Sequence, residues 1–191
     1  MIDITEARSY VLDRCPAAAP VQVPCRAATG LVLAAAVVAA EDVPPFANSA
    51  VDGYAVVASS VAAAGEAAVE LPVVGEVAAG AHTERVLKPG EAIRIMTGAP
   101  VPAGADAIVM VEDTDRVDGG TRVSVRRSVE VGVAVRRAGD DVRVGTALYP
   151  VGTFVTPAVA GVLASVNAAI VSVVPRARVA VLSTGDELIM P

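Results

Sequence analysis

The stretch GEAIRIMTGAPVPAGADAIVMVED, residues 90–113, contains two short apolar runs separated by turn residues. The runs predict strands at Ala92–Met96 and Ala107–Val111, and Pro102-Ala103-Gly104 predicts the turn between them. The same pattern of short strands and glycine or proline turns extends outward over residues 43–142. Three further strands are predicted there: Tyr54–Val57, Val69–Val77 and Thr121–Arg126. Short strands at this spacing are typical of a small antiparallel barrel or sandwich.

The flanking segments mix helix and strand signals. Asp3 is the predicted N-cap of a helix that runs to Arg14, and Thr156-Pro157 is a strong start for a second helix. Apolar residues at helical spacing follow this second start: Val159, Val162, Leu163 and Val166. A strand is predicted for Ala168–Val174. The run Leu31–Val38 stays ambiguous between helix and strand because alanine obscures its period.

The end of the sequence has the pattern of a further α/β unit. Arg178–Leu182 (RVAVL) is a buried-strand pattern, and a loop of small and acidic residues follows it at 183–187. One strand alone cannot bury both faces or complete its ladder. We therefore expect the chain to be a fragment of a longer protein, with an α/β domain cut off after its first strand and loop.

The composition excludes several classes of protein. Of the 191 residues, 54% are hydrophobic and 19% are charged, which is too apolar for a disordered chain. The net charge of −6 and the 3% content of aromatic residues argue against nucleic-acid binding. A single histidine, His82, argues against zinc sites and histidine-based catalysis. Cys15 and Cys25 are expected to be reduced thiols in a cytoplasmic protein.

The sequence predicts neither a signal peptide nor a membrane span. Met1-Ile2-Asp3 opens with an acid, and no apolar run follows it. Gly145–Pro175 carries no charge, whereas a spanning helix needs about 20 uninterrupted apolar residues. Four residues break this run: Pro150, Gly152, Pro157 and Asn167. We therefore expect no membrane partner.

Four stretches combine small residues with carboxylates or hydroxyls, and three of them lie in the β-like region. Pro44–Ala55 includes four such residues: Asn48, Ser49, Asp52 and Tyr54. Its Asp52-Gly53 step alone is also an ordinary turn. The second stretch ends a predicted strand in Thr97-Gly98-Ala99, where backbone N–H groups and a hydroxyl suit an anion. A strand followed by a wide turn explains this second stretch equally well.

The other two stretches are richer in charge. Arg136–Asp141 carries two arginines and two aspartates, a pattern that also fits a charged hairpin turn. Ser183–Glu187 follows a predicted strand, the position at which open α/β sheets bind ligands. Its N–H groups can cradle a phosphate, while Asp186 and Glu187 can bind a divalent cation. The carboxylates favour Mg²⁺ and metal-assisted chemistry on an anionic substrate over covalent catalysis.

In this order and at this spacing, the four stretches resemble the molybdopterin molybdenumtransferase family, which includes bacterial MoeA and the E-domain of gephyrin. The matching segments are PPFANSAVDGYAV (44–56), GEAIRIMTGAPVPAGADAIVMVED (90–113), RRAGDDVRVGTAL (136–148) and RVAVLSTGDEL (178–188). The resemblance covers nearly the whole chain, which looks like the N-terminal half of such a protein.

The resemblance implies a mixed α/β multidomain fragment. An all-β, barrel-like domain at 43–142 would be inserted into an elongated α/β linker and dimerisation domain, formed by 21–42 and 143–176. The N-terminal helix, within 1–20, would pack on the substrate-binding α/β domain that begins at 177–191 and is truncated. Members of the family are homodimers, with the site between the α/β domain of one subunit and the β insertion of the other.

The implied reaction inserts molybdenum from molybdate into the dithiolene of adenylylated molybdopterin and releases AMP, with Mg²⁺ present. Matching positions imply catalytic roles for Asp52, Thr97, Asp141 and Glu187. They imply substrate binding by a second set: Ser49, Gly98, Ser183, Thr184, Gly185 and Asp186. Asp186 and Glu187 would hold Mg²⁺, while Thr97 and Ser49 would donate hydrogen bonds to oxyanions. Most of the pocket would lie beyond the chain, so the fragment is expected to be inactive alone.

The sequence departs from the family pattern at two positions within the matching segments, and two other functions remain open. Val51 stands where methionine is usual, and Asp140 stands where glutamate is usual. One alternative is a dimerisation and scaffold module. The other is a molybdate-binding protein that stores or senses the anion without a nucleotide.

Overall fold

The computed structural model describes residues 2–16 and 18–181. Within these ranges it contains two α-helices and thirteen strands. In chain order they are α1 (Ile4–Leu12), β1 (Val21–Pro24), β2 (Val32–Leu33), β3 (Val37–Val38), β4 (Asn48–Ser49), β5 (Gly53–Val56), β6 (Val69–Val77), β7 (Ala92–Ile95), β8 (Ala107–Met110), β9 (Thr114–Val117), β10 (Arg122–Val125), β11 (Val135–Arg136), β12 (Ala147–Tyr149), α2 (Pro157–Ser165) and β13 (Ile170–Val174). Short 3-10 helices occupy Cys25–Ala27, Ala58–Val61, Val111–Asp113 and Asp118–Gly120. The predicted mixed α/β class is confirmed.

The chain divides into two compact units. One is continuous and covers Glu41–Thr146, and the other combines the residues before Glu41 with those after Thr146. The continuous unit is therefore inserted between the two halves of the other. No helix in the described ranges is long and apolar enough to cross a membrane.

The continuous unit is built on a curled, half-barrel sheet of six strands in the order β8-β5-β7-β6-β10-β9. Neighbouring strands are antiparallel except β6 and β7, which run parallel. The prediction of an antiparallel sheet is therefore wrong for this pair. Residues 78–91 separate the two strands and provide the long crossover that a parallel pair requires.

The sheet is buried on both faces where it carries β5. Tyr54 and Val56 pack into one hydrophobic cluster, and Ala55 packs into a second cluster with Ile93 and Ile95. Successive side chains of a strand point to opposite faces, so both clusters hold β5 in place. This double burial makes β5 and β7 a fixed base for the loops at their ends.

The discontinuous unit contains the three-stranded antiparallel sheet β1-β13-β2. Its core packs α2 against the sheet through six buried residues: Ala28, Leu33, Val155, Leu163, Val171 and Val173. The predicted start of α2 is confirmed, because Thr156 Oγ1 accepts a hydrogen bond from the Val159 amide at 3.2 Å. The predicted N-cap of α1 is also confirmed, since Asp3 Oδ1 accepts from the Thr5 amide at 2.7 Å.

The buried strand predicted at Arg178–Leu182 is not formed over its described part, residues 178–181. These residues have no regular secondary structure, and Val179 and Val181 are 81% and 87% exposed. A strand requires a neighbour for its hydrogen bonds, and no described residue pairs with this segment. Leu182 lies outside the described residues.

Gly53 marks a close approach of two strands and provides a test of the fold. A Cβ at this position would lie 2.0 Å from the Val109 carbonyl oxygen of β8. We expect Gly53→Ala to force β5 and β8 apart and to lower the free energy of unfolding by about 1–3 kcal/mol or more. Gly75→Ala is the control, because its Cβ would meet only Ile93 Cγ1 at 4.0 Å. Equal urea-unfolding midpoints for the two variants would contradict this packing.

Candidate functional site

The side chains of Asp52 and Thr97 are joined directly. Asp52 Oδ1 accepts two hydrogen bonds of 2.7 Å, one from the Thr97 amide and one from the Thr97 hydroxyl. Both residues are exposed. Since both bonds go to Oδ1 and none of the described residues bonds Oδ2, the second oxygen can still accept a ligand or water.

The strand register explains why two residues 45 positions apart meet. Gly53 pairs with Ile95 in the antiparallel β5–β7 ladder. Asp52 immediately precedes β5, and Thr97 lies just beyond the end of β7. Because the two strands are antiparallel, their two loops lie at the same end of the strand pair. The sequence predictions for Asp52 and Thr97 thus fall on adjacent loops.

These hydrogen bonds alter the acidity of Asp52. The Thr97 amide bond is the main cause that lowers the pKa of Asp52 below its ordinary value of 3.8, followed by the Thr97 hydroxyl bond. The positive charge of Arg94, on β7, lowers the pKa further, while desolvation opposes it. Asp52 is therefore a carboxylate at neutral pH. Arg94 was not among the predicted site residues, although a charge inside an apolar strand pattern is a signal that could have found it.

The short strand β4 is hydrogen-bonded to the loop that carries Thr97. Ser49 O accepts from the Gly98 amide at 2.8 Å, and the Ser49 amide donates to Ala99 O at 3.0 Å. Ser49 itself is 1% exposed, and its hydroxyl donates to Val51 O at 2.5 Å. Its hydroxyl is thus committed within the fold, while Gly98 lies exposed beside Thr97.

Asp141 lies in a third loop that is attached to the same short strand. Arg136 Nη2 donates to Asp141 Oδ2 at 2.5 Å, and both side chains are about half exposed. Arg136 belongs to β11, which pairs with β4 in the register Arg136↔Asn48 and Val135↔Ser49. Asp52, Thr97 and Asp141 are therefore linked through β4 within one unit.

Asn48 is a buried polar residue in this link that the predicted site set does not include. Its side chain is 6% exposed, and Nδ2 donates weakly to Phe46 O at 3.4 Å. Its Oδ1 is buried and has no hydrogen-bond partner among the described residues. The sequence signal for Asn48 was its position within the dense polar stretch 48–54.

The predicted magnesium ligands cannot be placed. Asp186 and Glu187 lie outside the described residues, as do three of the predicted substrate-binding residues: Ser183, Thr184 and Gly185. Among the residues with coordinates, no three His, Cys, Asp or Glu side chains cluster in a way that could hold a metal ion. The Asp52 carboxylate, with Oδ2 unbonded among the described residues, is an oxygen ligand of the type that Mg²⁺ accepts.

A family model for the MoeA N-terminal region (domain I and II) matches residues 2–167. The chain belongs to the MoeA family. The resemblance found in the sequence motifs is thereby confirmed, and the matched range includes Asp52, Thr97 and Asp141.

Individual MoeA-family proteins show the same relationship. The chain is 45% identical over 192 residues to molybdopterin molybdenumtransferase 2 of Mycobacterium tuberculosis, covering 100% of the chain and 47% of that protein. It is 40% identical over 160 residues to the molybdopterin molybdenumtransferase of Bacillus subtilis, covering 82% of the chain and 37% of that protein. The chain thus spans about half the length of the curated relatives it matches.

Solved structures of MoeA proteins share the fold. The molybdopterin biosynthesis MoeA protein from Pyrococcus horikoshii OT3 superposes with a TM-score of 0.76 at 34% identity. The superposition covers 91% of this chain and 46% of that one.

The lowered pKa of Asp52 predicts how acid affects stability. Folding favours the ionised form of Asp52. Its contribution to the free energy of unfolding is therefore complete above about pH 3.8, the ordinary pKa, and disappears as the pH falls through the lowered pKa of the folded state. Asp52→Asn should be less stable than the parent near neutral pH, and the gap should close in acid. Urea unfolding between about pH 7 and about pH 2 measures it. Thr97→Val loses only the hydroxyl bond, so its stability difference from the parent should change less between neutral and acid pH than that of Asp52→Asn. If the difference between Asp52→Asn and the parent is absent, or is the same at every pH, the assignment is contradicted.

Proposed function

We propose that this chain is part of a molybdenum-cofactor biosynthesis enzyme that inserts molybdenum from molybdate into adenylylated molybdopterin and releases AMP. The observation that carries the proposal is the joined Asp52–Thr97 pair in a chain that aligns over its full length with a molybdopterin molybdenumtransferase. Because both Thr97 donors already bond Asp52 Oδ1, the pair presents an oriented, ionised carboxylate, which suits the cation that accompanies a substrate carrying oxyanions.

The contacts of Asp52, Thr97 and Asp141 support a role for each of these three predicted catalytic groups. The Thr97 hydroxyl donates a hydrogen bond to Asp52, which leaves the hydroxyl oxygen as an acceptor and holds the carboxylate in one orientation. Asp52 Oδ2 and the Asp141 carboxylate are then the oxygens available for water or a cation. Ser49 contributes through its backbone, by fixing the Gly98 amide, while its hydroxyl remains bonded to Val51 O. Gly98 is exposed and carries no side chain, so a substrate can come close to the backbone there, but its N–H already donates to Ser49 O.

We propose Mg²⁺ as the metal that acts with these residues. Mg²⁺ is commonly bound through one or two carboxylates together with substrate phosphates, and the exposed Asp52 carboxylate fits such a partial site. Asp186 and Glu187 are proposed to supply the other protein oxygens. When bound, the ion would neutralise negative charge on the phosphate of adenylylated molybdopterin.

The active form is proposed to be a cytoplasmic homodimer. The inserted β domain, expected at 43–142, would present Asp52, Thr97 and Asp141 to a second copy. That copy would contribute the loop Ser183–Glu187 from its α/β domain, which begins at 177–191. Residues 21–42 and 143–176 would form the linker and dimerisation domain, and the helix within 1–20 would pack on the α/β domain.

Two single substitutions test the assignment in the natural full-length protein. Asp52→Ala removes the acceptor for Thr97, and Glu187→Ala removes a proposed metal ligand. Each should lower the rate of molybdenum insertion by about 100-fold or more while the protein stays folded by circular dichroism. Asp115→Ala is the matched control, because this exposed aspartate pairs with Arg126 on another part of the insert. Wild-type insertion rates in both site variants would remove the assignment.

Mixing the two inactive variants tests whether the site is shared between subunits. If Asp52 and Glu187 act in the same site from different copies, a random mixture of the two variants contains heterodimers with one intact site. Activity should then recover to about a quarter of the parent value. A mixture that forms heterodimers and stays inactive would contradict the shared site, although the assignment of the two residues would stand.

A further inference from the structure

Asn48 contains a buried acceptor without a donor. Its side chain is 6% exposed, and Oδ1 has no hydrogen-bond partner among the residues that the structure describes. Removing a carbonyl oxygen from water without giving it a donor imposes its full desolvation cost on the fold. Such oxygens are rare in native proteins, so a donor for Asn48 Oδ1 is to be expected.

Arg136 lies next to Asn48 and has guanidinium N–H donors that are not engaged by other described residues. The register pairs it directly with Asn48 across the β4–β11 ladder. Directly opposed residues project to the same face of a sheet, with their Cβ atoms about 5 Å apart. A guanidinium group has five N–H donors in a planar fork, and among the described residues only Nη2 of Arg136 is engaged, with Asp141 Oδ2 at 2.5 Å.

We propose that Asn48 is a positioning residue for Asp141, acting through Arg136. In the structure the two groups are not bonded; in the proposed arrangement the Arg136 guanidinium turns one edge to Asn48 Oδ1 and donates an N–H to it, while Nη2 keeps the Asp141 carboxylate. Lysine at position 136 could not replace this arrangement, because a single ammonium group lacks the planar fork that spans two acceptors. The relevance of the arrangement to catalysis rests on the proposed function of Asp141.

The proposed hydrogen bond between Asn48 and Arg136 explains how an exposed ion pair could hold a fixed geometry. The Arg136 and Asp141 side chains are 46% and 53% exposed, and pairs of this kind usually add little stability and hold no fixed geometry. A hydrogen bond to a buried oxygen on a paired strand removes that freedom from the arginine. Because Ser49 follows Asn48 and fixes the Gly98 amide, the same short strand would set Asp141 relative to Thr97.

A double-mutant cycle in the natural full-length protein tests the bond without any activity assay. The variants are Asn48→Leu, Arg136→Met and the double variant, compared by thermal unfolding. Arg136→Met should lower the midpoint by about 2 °C or more in the parent, and by less than half as much when Asn48 is already leucine. Arg122→Met is the matched control, because its ion pair with Glu70 at 3.2 Å is similarly exposed and should matter little.

Two results would overturn the bond. One is additivity of the Asn48 and Arg136 effects. The other is a higher midpoint for Asn48→Leu, which is expected when a buried oxygen truly lacks a partner. If Asn48→Leu does not fold, Asn48→Asp tests the bond instead. A buried carboxylate at position 48 is stable only if a positive charge, here the Arg136 guanidinium, pairs with it. Asn48→Asp should then be tolerated with Arg136 present and not with Arg136→Met; equal behaviour in both backgrounds would indicate a buried water as the donor.

Steady-state insertion kinetics test the positioning role separately. Asn48→Leu should lower kcat about tenfold with little change in the KM for molybdate, and Asn48→Asp should restore most of the loss. An unchanged kcat beside a clear coupling in the unfolding cycle would overturn the positioning role and leave the bond as a structural one. If the protein inserts no molybdenum at all, the proposed function fails while the unfolding cycle still decides the bond.

Discussion

The arrangement of the site depends on one carboxylate oxygen. Asp52 Oδ1 receives both donors of Thr97 and so connects the loop before β5 to the loop after β7. The two strands are buried on both faces and cannot shift to accommodate a broken contact. Ser49 fixes the next amide along, that of Gly98, and β4 extends the connection to β11 and Asp141.

Small residues make this connection sterically possible. Gly53 lets β5 approach the Val109 carbonyl oxygen to a distance that any Cβ would prevent. Gly98 has a φ of +79°, a conformation that side chains rarely adopt, and it turns the chain back towards Ser49 directly after Thr97. The Asp-Gly and Thr-Gly steps therefore supply both a polar group and the backbone freedom to place it.

Local signals predicted much of the fold and the long-range pairing could not be predicted. Val69–Val77 was predicted with its observed bounds, and the cap at Thr156 gave the start of α2 correctly. Strand β9 was missed, because Thr114–Val117 alternates little and carries two charges. The parallel β6–β7 pair was also missed, since the direction of β7 depends on the path of residues 78–91 and not on its own sequence.

The candidate site shows the same division. Asp52, Thr97 and Asp141 were selected from motifs, but the bond between the first two comes from the Gly53↔Ile95 register, which no local pattern contains. The most direct test is the Thr97 amide proton, observed by NMR in full-length protein labelled with ¹⁵N-threonine. The account predicts a downfield resonance that moves upfield on acidification, with a midpoint below 3.8, and that loses this transition in Asp52→Asn. A Thr97 amide shift that is independent of pH would contradict it.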